Sequence, residues 1–92
     1  MPLTNNELLE KVKTGLSVTG THNDGNLMAK MLAVRQYMLN AGVTAEQIES
    51  DLGVATLTLG VSDLWNSNSG EVKFSEAFTV ILLPQLMAVS LP

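Results

Sequence analysis

Leu27, Met31, Val34 and Met38 recur at spacings of four, three and four. An α-helix turns once every 3.6 residues, so these side chains share one face. Met28, Leu32 and Leu39 widen the stripe, Lys30 lies off it, and Arg35 is flanked by it. Asn23 or Asp24 can cap the start, and Gly42 stands where a C′ glycine belongs. Tyr37 is expected at the edge, with its ring against the core and its hydroxyl in water. A helix with so broad an apolar face must bury it against other elements. The rest of the chain has to supply that surface.

Thr4-Asn5-Asn6-Glu7 reads as a capping box, followed by Leu8, Leu9, Val12 and Leu16 at helical spacing. Gly15 weakens the end, which predicts a helix over about 5–14. Residues 16–24 are rich in turn formers and β-branched residues and predict an ordered loop. Thr44-Ala45-Glu46-Gln47 reads as a second capping box, with Ile48 pointing inward one turn later. Ser50 can cap a further helix from Asp51.

Residues 52–61 are ambiguous. Thr56-Leu57-Thr58-Leu59 alternates as a strand does, and Gly53 and Gly60 each disfavour a helix by about 1 kcal/mol. Against that, Leu52, Ala55, Leu59 and Trp65 sit close to one helical face. Glycines seven apart would also let another helix approach. The pattern alone splits evenly between helix and strand.

Asn66-Ser67-Asn68-Ser69-Gly70 is a polar turn, and Glu71-Val72-Lys73-Phe74 suits an extended arm or one side of a hairpin. Ser75 can cap a last helix with Phe78, Ile81 and Leu82 on its apolar face. Pro84 would interrupt or kink that helix, because proline removes a hydrogen bond and clashes with the preceding turn. From Ala77 to Pro92 there are sixteen residues and no charge. That is short of the roughly 20 residues a membrane helix needs. The stretch reads as buried or covered by a partner.

Composition narrows the function. A chain of 92 residues makes one small domain and buries roughly 63% of its unfolded surface. Some of its 46% apolar residues must therefore stay near the surface. There is no cysteine and one histidine, His22, which excludes disulfides, thiolate zinc sites, thiol nucleophiles and multi-histidine metal sites. The net charge is −4, and Lys11, Lys13, Lys30, Arg35 and Lys73 are scattered. Duplex DNA is held by clustered Lys and Arg, so direct nucleic-acid binding is not expected. No basic stretch precedes an apolar one at the start, so no signal peptide is expected.

Three segments carry a family resemblance. One is Val12-Lys13-Thr14-Gly15-Leu16-Ser17-Val18-Thr19-Gly20-Thr21-His22-Asn23-Asp24, leading into an amphipathic helix. Another is that helix's ending, Tyr37-Met38-Leu39-Asn40-Ala41-Gly42-Val43. The third is Gly60-Val61-Ser62-Asp63-Leu64-Trp65-Asn66, followed by a Gly turn and a Phe-containing helix. In order and spacing the chain resembles the small head–tail connector (head-completion adaptor) proteins of tailed bacteriophages and prophages. The resemblance implies an all-α adaptor that forms a homo-oligomeric ring, twelve-fold on the virion, beneath the portal. It favours helix for residues 51–65. It implies as partners the portal protein, the next tail or neck component, and DNA only as it passes through the channel. The chain departs from the family at Pro84 and in its long uncharged C-terminus.

His22 as a general base would need an oriented partner and a nucleophile, and a solvated loop histidine is the simpler reading. Glu7 and Glu10 read as a charged outer face rather than a carboxylate dyad. Ser62 precedes Asp63, the reverse of a carrier-protein serine site. Residues 27–65 lack the basic face a helix-turn-helix needs. The methionines read as helix-core packing before an adaptable groove. Asp63 beside Trp65 reads as a surface Asp next to a core Trp.

The sequence thus predicts an all-α bundle of about four helices, with a short arm near 66–74 and a possible assembly segment over 84–92. The core candidates are Leu27, Met31, Val34, Met38, Leu52, Leu59 and Trp65. The assembly candidates are Phe78, Leu82, Leu86, Met87 and Val89. The functional expectation is a structural virion protein of the neck, made in the host bacterial cytoplasm, with no catalysis, cofactor, metal or membrane. The alternative is a small cytoplasmic regulatory or protein-binding domain.

Overall fold

A computed structural model of the chain describes residues 3–66 and 74–90. Its helices are α1 (Asn5–Leu16), α2 (Asp24–Asn40), α3 (Ala45–Ile48), α4 (Asp51–Trp65) and α5 (Leu83–Val89). A π-helical segment, Ala77–Leu82, runs directly into α5. The fold is all-α, with no strand among the described residues. Of the expected arm near 66–74, residues 67–73 lie outside the described residues.

Local chemistry sets the helix ends. The Thr4 hydroxyl accepts from the Glu7 N–H at 3.1 Å, and the Glu7 carboxylate accepts from the Thr4 N–H at 3.0 Å. Helix α1 runs two residues past the expected end, through Gly15. A Cβ at Gly15 would lie 2.9 Å from Thr58 Cγ2, so the glycine is where α1 and α4 approach. The close is a Schellman turn: Val18 N–H donates to Lys13 O at 2.9 Å and Ser17 N–H to Thr14 O at 3.2 Å. Ser17 takes the left-handed conformation there, φ 58°. Helix α2 ends in the same turn, with Val43 N–H on Met38 O, Gly42 N–H on Leu39 O, and Gly42 at φ 104°.

The second capping box is only half formed. Thr44 Oγ1 accepts from Gln47 N–H at 3.3 Å, but the Thr44 N–H donates to Ser90 Oγ, 3.1 Å away, and not to Gln47. The C-terminal helix has taken that arm of the box.

Residues 51–65 are helix, and the glycines explain why. A Cβ at Gly53 would run into the carbonyl oxygens of Gln47 and Ile48. One at Gly60 would meet Val34 Cγ1 and lie 2.8 Å from Phe78 Cε2. Helix α4 therefore turns its Gly53–Thr56–Leu57–Gly60–Val61 face inward. Thr56 is fully buried and satisfies its hydroxyl on Leu52 O at 2.8 Å, and Thr58 does the same on Val54 O.

This orientation corrects three core candidates. Leu52 and Leu59 are half-buried and pack on the flanks, and Trp65 is 45% exposed at the helix end. The larger side chains are rotated aside because neighbours press against the glycines. Leu27, Met31, Val34 and Met38 are buried, joined by Leu8, Leu9, Val12, Val43, Ile48, Leu57 and Val61. Leu32, on the edge of the α2 stripe, stays 39% exposed.

Candidate functional site

The C-terminal helix is anchored at both ends. Asp63 Oδ2 accepts from the Ser75 N–H and from the Ser75 hydroxyl, each at 2.9 Å. Ser75 Oγ in turn accepts from the Phe78 N–H at 3.3 Å. Asp63 thus fixes where the helix starts. Phe74 and Phe78 stack with ring centroids 4.5 Å apart, and the Tyr37 ring leans on both. Tyr37 is 42% exposed, in keeping with an edge position. At the far end Ser90 Oγ donates to Leu86 O at 2.7 Å and accepts from Thr44.

Between the anchors the helix changes pitch. Leu83 N–H donates to Phe78 O, five residues back. Proline lacks an N–H and its ring crowds the carbonyl four residues earlier, here Val80. The wide turns before Pro84 relieve that crowding, and Pro84 then stands at the start of α5, where no intrahelical donor is needed. In a π turn the inward residues are Phe78 and Leu83, five apart, and Leu86 follows. An α register would have turned Phe78, Ile81 and Leu82 inward instead.

The assembly candidates are corrected accordingly. Phe78 and Leu86 are fully buried in the subunit's own core, and Leu82 is half-buried. Met87 and Val89 are exposed, at 39% and 57%. Ile81, expected on the apolar face with Phe78 and Leu82, is 54% exposed, and Val80, which the sequence does not single out, is 65% exposed. The division between buried and free runs across the helix rather than along the chain at Pro84. Leu86 and Ser90 hold the residues after Pro84 on the bundle. Val80, Ile81, Pro84 and Met87 recur at helical spacing and form an uncharged outer ridge.

A second surface lies at the N-terminal end of α2. Leu16, Val18, Asn23, Leu27, Ser62 and Trp65 line a cleft of about 190 Å³. The ends of α1 and α4 and the start of α2 meet there. Lys30 Nζ sits 5.4 Å from the centroid of the Trp65 ring, a cation–π contact at the cleft's rim.

The loop beside this cleft is held by a charge the sequence did not single out. Lys13 is 4% exposed. Its ammonium donates to Gly20 O at 2.6 Å and pairs with Asp24 Oδ1 at 2.8 Å and Glu10 Oε1 at 3.6 Å. The hydrogen bond with Asp24 raises its pKa above the ordinary lysine value, with burial opposing. His22 lies exposed in the same loop. Glu7 and Glu10 are both exposed, and the backbone and hydroxyl of Thr4 hold the Glu7 carboxyl below its usual range.

Among the described residues, no three His, Asp or Glu side chains gather as a metal site, and no helix is long and apolar enough to cross a membrane. No protein-family model matches this chain, and no curated protein or solved structure matches it.

Proposed function

We propose that the chain is a structural virion protein, a head–tail connector that forms a ring under the portal and joins head to tail. The observation that carries the reading is the uncharged ridge of the C-terminal helix. An apolar face of this kind on a small bundle usually marks a contact with another protein. The three sequence segments resembling phage adaptors say which kind of contact. In this role no chemistry is needed. Identical copies meet through heterologous contacts, which give a ring when the rotation closes. The acidic balance of the chain suits a channel through which DNA must slide.

The test is a variant that charges the ridge and leaves the core alone. Ile81→Asp with Met87→Asp should keep the helical circular-dichroism signal and fail to form rings on the portal of the encoding phage in negative stain. Deleting residues 85–92 is a poorer test, because it also removes buried Leu86 and the Ser90 anchor. Normal rings from the charged variant would overturn the assembly role of the ridge. A wild-type chain that never enters virions and stays a monomer or dimer would overturn the connector reading. That outcome favours a small regulatory or protein-binding domain.

A further inference from the structure

We propose that the outer ridge of one copy docks into the Trp65 cleft of the next, with Met87 as the inserted side chain. The proposal rests on the ring-forming reading and names its subunit contact.

Size argues first. A cavity of about 150 Å³ holds one benzene-sized group, whereas sites for small-molecule ligands run from about 300 Å³ upward. The cleft, at about 190 Å³, suits one inserted side chain better than a cofactor. Methionine is unbranched and adapts to irregular apolar gaps. Met87 stands outward on α5, next to Pro84 and Ile81, which would rest on the rim.

Charge argues next. None of the six lining residues is charged, and the helix carries no charge from Ala77 onward. Neither surface loses the hydration of an ion when the two meet. Lys30, at the rim of the cleft, is engaged over the Trp65 ring.

Placement then selects a second copy. The cleft lies at the N-terminal end of α2, beside Asn23 and Leu27. The end of α5 lies beyond the C-terminal end of α2, where Ser90 holds Thr44. Helix α2 has 17 residues, so the end of α5 that carries Met87 stands roughly a helix length, about 25 Å, from the cleft. They cannot meet within one molecule, whereas ridge to cleft between copies is head-to-tail.

The chain contains no cysteine, so introduced thiols report without background. Purified protein at millimolar concentration is oxidised as Ser62→Cys, as Met87→Cys, as a mixture of the two, and as the double variant. The expected result is a reducible ladder from the double variant, dimers from the mixture, and monomers from each single variant. Dimers from Met87→Cys alone would mean ridge against ridge and overturn the proposal, as would the absence of any cross-link. Trp65→Ala, at a half-exposed position, should keep the fold and weaken association roughly 30-fold, as loss of a tryptophan hot spot does. Unchanged association in that variant would overturn the role of the cleft. Open filaments in place of rings would keep this contact and remove the closed ring. Rings on the portal without the 62–87 cross-link would keep the connector reading and overturn this contact.

Discussion

Two regions fasten the bundle in different ways. Between α1 and α2 the chain is tied by charge, with the Lys13 ammonium gathering Gly20 O, Asp24 and Glu10 around one buried atom. Past Glu76 the C-terminal helix has no charge to use and is seated by Phe78, Leu83 and Leu86. The ionic tie consumes its own groups and leaves the loop surface polar. The apolar helix uses one side for the core and has an uncharged side left over, with Val80, Ile81, Met87 and Val89 exposed on it. The second region is therefore the better source of an assembly surface, and the two should fail under different stresses.

The largest effect belongs to the apolar region. Phe78→Ala should cost about 3–5 kcal/mol, because the ring is fully buried and fills the space beside Gly60. Ile81→Ala, three residues on but 54% exposed, should stay within about 0.5 kcal/mol of wild type. Urea unfolding of both checks the division. Equal losses would show that the π register does not turn Ile81 outward. Gly60→Leu probes the same seat from α4 and should lower the urea midpoint as Phe78→Ala does.

The ionic region should respond to pH. The raised Lys13 pKa gives stability that is fully present below the ordinary lysine value, about 10.4, and lost as pH climbs through the raised one. Melts from about pH 9 to pH 12 should therefore fall more steeply for wild type than for Lys13→Met. At neutral pH Lys13→Met should itself be less stable, because Asp24 and Gly20 O lose their donor. Parallel curves would remove the tie from the stability of the fold. Glu7 has the opposite sign. Its lowered pKa gives stability above the usual carboxylate value that is lost as pH falls through the lowered one. Since Glu7 is exposed, Glu7→Gln should flatten the acid limb only slightly.

What could be read from the sequence was local. The α2 stripe, the Thr4 box and the Ser50 cap depend on residues within a turn or two, and their spacing announces them. The rest depends on a neighbour. Which side of α4 faces inward is decided by the backbone of residues 47–48 pressing on Gly53, and no periodicity carries that. It is why Leu52 and Leu59 lie on the flanks and Trp65 at the exposed end of the helix, against the expectation from spacing. The exposure of Ile81 depends on a change of pitch before Pro84, and the same change seats Phe78 and Leu86 together in the core. Lys13 looked like any surface lysine until the left-handed turn at Ser17 brought Gly20 O back over it.

That turn allows the smallest and most specific test. Helices α1 and α2 close with the same Schellman geometry, but α2 places Gly42 at the left-handed position and α1 places Ser17 there. A residue with a Cβ loses roughly 1–2 kcal/mol in that conformation relative to its right-handed one. Glycine avoids that strain but surrenders about 0.5–1 kcal/mol more chain entropy on folding. The balance predicts that Ser17→Gly stabilises the protein by about 0.5–1 kcal/mol. A domain of this size should then melt roughly 2–8 °C higher. Gly42→Ser, the reverse exchange at a φ further from the ideal left-handed value, should destabilise by at least as much. The gain at Ser17 should persist in the Lys13→Met background, because the strain is in the backbone and not in the ion pair. If Ser17→Gly instead lowers the melting temperature, the turn is not strained, and the loop owes its position to Lys13 alone.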